Sequence, residues 1–312
     1  MNFYALPPTI KASVYVRVPD SIRCKNQDSE WRGGFSRPFQ NIFLEGPIYT
    51  ASGDLYVVDI PYGRILRISS TKEVTVEAEW DGEPNGLAVD PDGRIAIADY
   101  KQGILTFDPT TKKVSNRLTR KNLERFKGPN DLIFDQAGNL YFTDQGQTGM
   151  TDPTGKVYRL SLDGKLDTLV ENGVSPNGLV LSPDERFLYV AMTRSNSVWR
   201  LPLHADGTTS KVGLFFQGFG AVGPDGLAMD EEGNLFICNP GLGSIFVVNP
   251  DGTPRARIVS GTEGINFTNC TFGGEQGKTL FITDSLEGNV QYVEWHCKGA
   301  TAIPNLASKS NL

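Results

Sequence analysis

Six polar residues recur at one position of a repeat that runs through the chain, and each side chain carries oxygen. Each stands just before a short apolar stretch, such as LAV after Asn85. In five cases a turn glycine follows eight residues later, and in the fourth repeat Glu185 replaces that glycine. These six residues, called the axial ring below, are Glu45, Asn85, Asn130, Asn177, Asp225 and Asn269.

Carboxylate and amide oxygens that converge on one point favour a bound cation. Like charges repel, and buried polar groups need partners. Ca²⁺ takes about six to eight oxygen ligands in flexible geometry, and two carboxylates roughly neutralise a dication. The ring offers neither sulfur nor imidazole, which disfavours zinc and copper chemistry. Ca²⁺ is therefore the expected cofactor, with Mg²⁺, Mn²⁺ or Zn²⁺ as alternatives.

The alternative interpretation is that these residues only form turns. Asparagine or aspartate before glycine is a common turn sequence, and it occurs at Asn85, Asn177 and Asp225. Glu45 is a poor turn former and stands at the same position of its repeat. A shared cation explains all six residues, so the metal interpretation is preferred.

The spacing of the ring residues predicts the fold. Their separations are 40, 45, 47, 48 and 44 residues, which is the period of a four-stranded propeller blade. Each repeat reads as two apolar strands joined by a turn, then a strand usually opened by glycine, then a more polar strand. The prediction is an all-β, six-bladed β-propeller with four-stranded blades, forming a single domain over residues 1–312. The innermost strands line the channel, so the axial ring should meet there.

The ring of blades must also close. The sixth repeat is one strand short, and residues 298–312 are too irregular to supply it. The segment ASVYVRV, residues 12–18, is a strand without a blade. We expect it to complete the sixth blade, because closure removes the exposed strand edges of an open array.

The composition limits the partners and the compartment. The chain of 312 residues has 30 Lys plus Arg and 36 Asp plus Glu, a net charge of −6, which argues against nucleic-acid or anionic-membrane binding. The four cysteines are far apart in the sequence, which favours free thiols in a reducing compartment. The first residues make a poor signal peptide. A cytoplasmic protein is expected; its oligomeric state is left open.

Other motifs contribute little catalytic chemistry. Neither His204 nor His296 shares the position of the ring residues, so a Ser-His-Asp or Cys-His system is not expected.

Polar residues close the second strands at another recurring position, and they are interpreted as residues that hydrogen-bond between blades. This second set, called the belt below, comprises Asp59, Asp99, Asp144, Asn239 and Asp284.

The ring motifs resemble those of the SMP-30/gluconolactonase family of calcium-dependent lactonase propellers, and more distantly diisopropylfluorophosphatases and paraoxonases. The similarity covers roughly residues 12–297. It rests on LEGPIY around Glu45, GPNDLIFD and GNLYFTD around Asn130, SPNGLVLSPD around Asn177 and GPDGLAMD around Asp225. Mammalian members carry arginine where this chain has Gly128, so the resemblance does not imply their sugar-lactone specificity.

The resemblance implies roles for individual residues. Glu45, Asn177 and Asp225 would be metal ligands, and Asn130 a fourth ligand or a substrate contact that acts in catalysis. Asp225 would be the general base. Asp131 is a rival base, although alternation along a strand should point it away from the channel.

The expected function is hydrolysis of a small lactone, sugar-type or other, by Ca²⁺-assisted attack of water in the central channel. Substrate-binding positions are assigned to Asn85, Tyr49 and Asn269. Two alternatives stay open, because a propeller fold does not fix a reaction. One is phosphotriester hydrolysis at the same cation. The other is a non-catalytic propeller that Ca²⁺ stabilises and that binds a partner.

Overall fold

The computed structural model describes residues 6–24, 31, 41–218, 220 and 222–300. The strands form six sheets arranged as the blades of a β-propeller, which confirms the predicted fold. The described part of the chain contains no α-helix, and therefore no helix that could span a membrane. Two short 3-10 helices, Ile60–Tyr62 and Thr193–Ser195, follow the second strands of the first and fourth blades.

Each blade is an antiparallel sheet whose strands run in chain order from the channel outwards. Blade 1 comprises β3 (Leu44–Tyr49), β4 (Leu55–Asp59), β5 (Arg64–Ile68) and β6 (Val74–Glu79). Blade 2 comprises β7 (Pro84–Val89), β8 (Ile95–Asp99), β9 (Gly103–Asp108) and β10 (Lys113–Leu118). A small hairpin of β11 (Arg120–Lys121) and β12 (Glu124–Arg125) precedes blade 3, which comprises β13 (Pro129–Phe134), β14 (Leu140–Asp144), β15 (Gly155–Leu160) and β16 (Leu166–Gly173).

The second half of the propeller repeats this order. Blade 4 comprises β17 (Pro176–Leu181), β18 (Phe187–Met192), β19 (Ser197–Pro202) and β20 (Gly213–Gln217). Blade 5 comprises β21 (Leu227–Met229), β22 (Leu235–Asn239), β23 (Ser244–Val248) and β24 (Pro254–Val259). Blade 6 comprises β25 (Phe267–Gly273), β26 (Thr279–Asp284) and β27 (Asn289–Glu294).

Two strands from the beginning of the chain complete the last blades. β2 (Ser13–Arg17) pairs antiparallel with β27 and supplies the missing outer strand of blade 6, as predicted for residues 12–18. β1 (Thr9–Lys11) was not predicted, and it adds a fifth, parallel strand to blade 5 beside β24. Residues 298–300 cross from blade 6 to blade 5, where Ala300 N donates to Met229 O (2.8 Å). The rest of the predicted tail, residues 301–312, lies outside the described residues.

The hydrophobic core is divided into six clusters, one between each pair of neighbouring blades. Successive side chains of a strand point to opposite faces, so one strand feeds two clusters. In β4, Val57 packs between blades 6 and 1, and Val58 packs between blades 1 and 2. Both are fully buried. The inner strands therefore contact one another around the axis, and this contact brings their first residues together.

Candidate metal centre

A β-bulge interrupts most of the inner strands at the axial ring. The pairing register shifts between Glu45 and Ile48 in blade 1, and between the corresponding residues of four other blades. In blade 5, Asp225 N donates to Cys238 O (2.9 Å), and Cys238 N donates to Gly226 O (3.0 Å). Bulges twist the strand and re-aim side chains. The side chains on both sides of the bulge are therefore directed towards the axis.

Glycine lets the inner strands approach closely below the ring. The residue after the ring residue is Gly86 in blade 2 and Gly226 in blade 5. A Cβ atom at Gly86 would overlap Asp131 of blade 3, and one at Gly226 would overlap Asn269 of blade 6. Asp131 and Asn269 therefore fill the space that these glycines leave open.

The strand pairing corrects one residue of the predicted ring. Leu44, Pro129 and Phe267 are the inner-strand residues opposite the belt residues Asp59, Asp144 and Asp284. Counted from them, Glu45 corresponds to Asn130 and to Thr268, so Asn269 corresponds to Asp131. Blade 6 has one extra residue between its inner-strand start and its turn glycine, so the glycine spacing misplaced the ring residue. Thr268 holds the sixth ring position, and Asn269 lies one residue deeper.

Matching contacts support this correspondence. Asp131 N donates to Thr143 Oγ1 (3.0 Å), and Asn269 N donates to Thr283 Oγ1 (3.1 Å). Each side chain also accepts the next backbone N–H, from Leu132 at 2.9 Å and from Cys270 at 2.8 Å. Because its Oδ1 accepts that bond, the amide nitrogen of Asn269 is left to donate to Glu45 and Asp131.

Three carboxylates lie together at the axis, and we call Glu45, Asp131 and Asp225 the carboxylate cluster. Glu45 and Asp131 are 4% and 8% exposed, whereas Asp225 is partly exposed. Burial raises the pKa of Glu45 to about 7. Burial and the charge of Glu45 raise the pKa of Asp131 to about 8. The same two causes hold the pKa of Asp225 well above its ordinary range, although Asn177 donates a hydrogen bond to it.

The expectation that Asp131 points away from the channel is wrong. It relied on strict alternation along the strand, and the bulge between Pro129 and Leu132 breaks that alternation. Asp131 adds a third negative charge to the cluster, and the charge acts on Asp225. The signal in the sequence was the single carboxylate at a position where four other repeats have glycine.

Asn130 lies at the ring with one amide atom committed and one unpaired. Its Nδ2 donates to Gln145 Oε1 (3.1 Å), and its Oδ1 is buried without a hydrogen-bond partner. A buried polar atom without a partner is costly. An oxygen in this position can accept a substrate hydroxyl or bind a cation. Sequence reasoning did not identify Gln145, which directly follows the belt residue Asp144.

The remaining predicted residues lie in different places. Asn177 donates to Asp225 and is part of the site. Asn85 is buried at its ring position, but no described contact joins its side chain to the carboxylate cluster. The structure does not bring Tyr49 to the site. It lies at the other end of β3, about 13 Å along the strand from Glu45, and stacks on Phe281 with ring centroids 5.5 Å apart.

Two further residues affect the site, the positively charged Arg194 and the closely packed Gly128. Arg194 is exposed on the 3-10 helix after β18, and its charge lowers the pKa of Asp225. A Cβ atom at Gly128 would overlap the ring of Tyr100. A larger side chain, such as the arginine of mammalian lactonases, would displace that ring.

The donor set fits a hard divalent cation. Carboxylate and amide oxygens are the ligands of Ca²⁺, and the salt bridges between described residues involve none of the three carboxylates. In the described part of the chain, the three do not all lie within 4.8 Å of one another. Asn130 Oδ1, which is buried without a hydrogen-bond partner, offers a further oxygen donor at the ring.

Comparison with known proteins identifies the family of the chain. The family model for the SMP-30/Gluconolactonase/LRE-like region matches residues 43–285. The chain belongs to this family. It shares 36% identity over 275 residues with the gluconolactonase of Zymomonas mobilis, covering 77% of this chain and 76% of that protein. It shares 32% identity over 230 residues with lactonase drp35 of Staphylococcus epidermidis, covering 69% of each.

Solved structures of other family members have the same fold. A gluconolactonase of Xanthomonas campestris superposes with a TM-score of 0.72 at 26% identity, covering 81% of this chain and 86% of that one. A calcium-binding regucalcin of Agrobacterium tumefaciens gives a TM-score of 0.75 at 22% identity, covering 96% and 98%. The second likeness concerns the fold alone.

Proposed function

We propose that this family member hydrolyses a small lactone at the carboxylate cluster, with one divalent cation, expected to be Ca²⁺, held there. The observation that carries the proposal is the group of three neighbouring carboxylates without a salt bridge. It occurs in a chain that is 36% identical to a gluconolactonase. Such a group stores repulsion that a bound dication relieves.

The residues that would hold the cation are Glu45, Asn177 and Asp225. Asn130 Oδ1 is a further donor, because it is buried and has no partner. Asp131 is the competing fourth ligand, because it lies beside Glu45 and Asn269. A divalent cation, when bound, supplies Lewis-acid polarisation of the lactone carbonyl.

Asp225 is the best candidate for the general base. It is the most exposed of the three carboxylates, so water can reach it. Asp131 is more deeply buried, and it accepts hydrogen bonds from Leu132 N and the Asn269 amide. Asn177 donates to Asp225 and orients it. Asn130 belongs to the same axial ring, and Gln145 fixes the orientation of its amide.

The test is hydrolysis of a panel of aldonolactones, simple γ- and δ-lactones and aromatic lactones. Activity is measured before and after chelation, with Ca²⁺, Mg²⁺, Mn²⁺ and Zn²⁺ added back one at a time. We expect activity to disappear with the chelator and to return with Ca²⁺. Glu45→Gln should remove it at equal folded concentration, and Glu73→Gln, at an exposed residue just before β6, is the matched control.

Two results would overturn the proposal. One is lactone hydrolysis that survives complete chelation. The other is a cation-loaded protein that leaves every lactone of the panel intact. In the second case, a phosphotriester panel on the same samples would distinguish another hydrolase from a binding protein.

A further inference from the structure

A second group of metal-ligating side chains lies at the opposite end of β21 from Asp225. There the segment after β27 crosses from blade 6 to blade 5. Glu231 N donates to Lys298 O (2.8 Å), and Gly299 N donates to Gly277 O (3.0 Å). Asp230, Glu232, His296 and Cys297 each place one ligand atom within 4.8 Å of the others, and we call them the His–Cys cluster.

Asp230 is the buried support of this cluster. It is fully buried, and its two oxygens accept four N–H bonds from neighbouring residues. The donors are Glu232 N (3.0 Å), Asn234 N (2.9 Å), Asn234 Nδ2 (2.7 Å) and Trp295 Nε1 (2.8 Å). A carboxylate has about four lone-pair positions, so Asp230 has little capacity left for a metal and acts as a positioning residue.

A positive charge already occupies the space between two of the other members. Arg255 NH2 lies 3.3 Å from Glu232 Oε2 and 3.0 Å from His296 Nε2. Those two ligand atoms are 3.2 Å apart. The guanidinium nitrogen therefore stands where a cation would bridge them. Arg255 is partly exposed and also reaches Asn249 Oδ1 (3.3 Å), so it can withdraw without leaving a buried charge.

The donor atoms decide the type of cation. Cys297 is buried beside Asp230, and a thiolate there needs a positive neighbour. Thiolate, imidazole and carboxylate together suit a borderline-soft ion and not Ca²⁺. The carboxylate cluster at the axis has the opposite preference.

We propose that Cys297, His296 and Glu232 bind one Zn²⁺-like divalent cation, which displaces the Arg255 guanidinium and the thiol proton of Cys297. The proton passes to solvent, and water completes the coordination. The cation joins the segment after β27 to the β21–β22 turn of blade 5, on the face opposite the axial ring. The site does not depend on the proposed lactonase function.

The test uses the full chain in saturating Ca²⁺, so that the axial site is filled, with Co²⁺ titrated under reducing, oxygen-free conditions. A cobalt–thiolate charge-transfer band in the near ultraviolet should appear and saturate at one equivalent, and Zn²⁺ should abolish it. Cys297→Ser should remove the band, and Cys24→Ser is the control. His296→Gln should raise the half-saturating concentration by more than about tenfold. His204→Gln should leave it unchanged.

Two further measurements keep the proposal testable if Cys297→Ser folds poorly. Zn²⁺ should raise the thermal unfolding midpoint of the wild type but not of Glu232→Gln, whose side chain is exposed. Arg255→Gln should lower the half-saturating Co²⁺ concentration several-fold. A missing band, a band that persists in Cys297→Ser, or equal Zn²⁺ stabilisation of Glu232→Gln would overturn the proposal.

Discussion

Polar side chains recur at two positions of the repeat, and the two sets differ in the charges that surround them. The belt closes the second strands, and the carboxylate cluster lies at the start of the inner strands. Both are largely buried, and burial raises the pKa of members of both: Asp59 and Asp284 of the belt to about 6, and Glu45 and Asp131 to about 7 and about 8. Burial alone therefore does not distinguish them.

Partners within the chain hold two of the belt carboxyl groups in place. Asp99 of the belt accepts bonds from Trp80 Nε1 (2.9 Å), Glu83 N (3.1 Å), Lys101 N (2.9 Å) and Gln102 N (2.8 Å). Asp59 pairs with the buried Arg64 (2.7 Å) and accepts from Phe43 N (2.7 Å). The belt therefore fastens loops and neighbouring strands, as the sequence suggested.

In the carboxylate cluster, neighbouring groups destabilise the ionised form of each carboxyl group. The charge of Glu45 raises the pKa of both Asp131 and Asp225, and the buried Asn130 Oδ1 of the axial ring has no hydrogen-bond partner. Asp59 and Asp99 thus meet a cation or N–H donors, whereas the carboxyl groups of the cluster also meet one another. A bound dication would relieve that repulsion. The comparison predicts that belt variants lose stability and cluster variants lose activity.

Asp225→Asn is expected to have the largest effect. It removes the proposed base, so kcat/KM for lactone hydrolysis should fall by about 10²- to 10⁴-fold. The unfolding midpoint without metal should stay the same or rise, because one of three neighbouring carboxyl groups that resist ionisation is gone. Steady-state kinetics and thermal unfolding check this, with Asp163→Asn in an exposed turn as the control. A variant that unfolds readily and stays active would invert the comparison.

Asp59→Ala should show the opposite pattern. It leaves the Arg64 guanidinium buried without its carboxylate, which costs about 3–5 kcal/mol of unfolding free energy. Activity per folded molecule should be retained. Denaturant unfolding measures the loss, and the double variant Asp59→Ala/Arg64→Met should recover most of it. No recovery would show that the ion pair is not the cause.

Removal of the cation should make the free energy of unfolding depend more strongly on pH, an effect that titration of the belt alone does not produce. Unfolded carboxyl groups have a pKa of about 4, whereas folded Glu45 and Asp131 have values of about 7 and about 8. Their contribution is fully present below about pH 4 and is lost as pH rises through 7 and 8. The chelated protein should therefore lose more stability between pH 5 and 8 than the Ca²⁺-loaded protein, since the belt titrates in both. Parallel unfolding curves would contradict this.

Gln145→Leu should have the smallest effect. It removes the acceptor of Asn130 Nδ2, so the amide is no longer held in one orientation. The loss of one hydrogen bond is worth about 1 kcal/mol, which corresponds to a rise in KM of about fivefold with a smaller change in kcat. Gln147→Leu, in the same loop but bonded to Tyr100, is the control. Equal effects of both variants would indicate a general loop disturbance.

Much of the fold followed from the sequence because spacing and turn chemistry repeat. The blade period and the inner strands could be predicted from the repeats, and the closing strand Ser13–Arg17 from the segment before them. β1 was not, because three residues carry no reliable alternation and their partner lies in blade 5.

The site was predicted less completely, for local reasons. Glu45, Asn177 and Asp225 share one position, and the structure brings them towards the axis. Asp131 was named as a rival base but predicted to point away from the channel, because a bulge breaks the alternation on which that prediction relied. Asn269 was placed one residue too high because the blade 6 turn has an extra residue. Tyr49 was predicted to bind substrate, but it lies at the other end of β3 from Glu45 and stacks on Phe281.

The pairing of β1 and β2 also sets the order in which the molecule can be assembled on the ribosome. Both strands are synthesised before any blade, yet their partners β24 and β27 emerge near the end of translation. Until then the two early strands have no edge to join, and the growing array of blades keeps an open edge. Closure, and with it the meeting of blades 1 and 6 beside Glu45, is therefore a late event in biosynthesis.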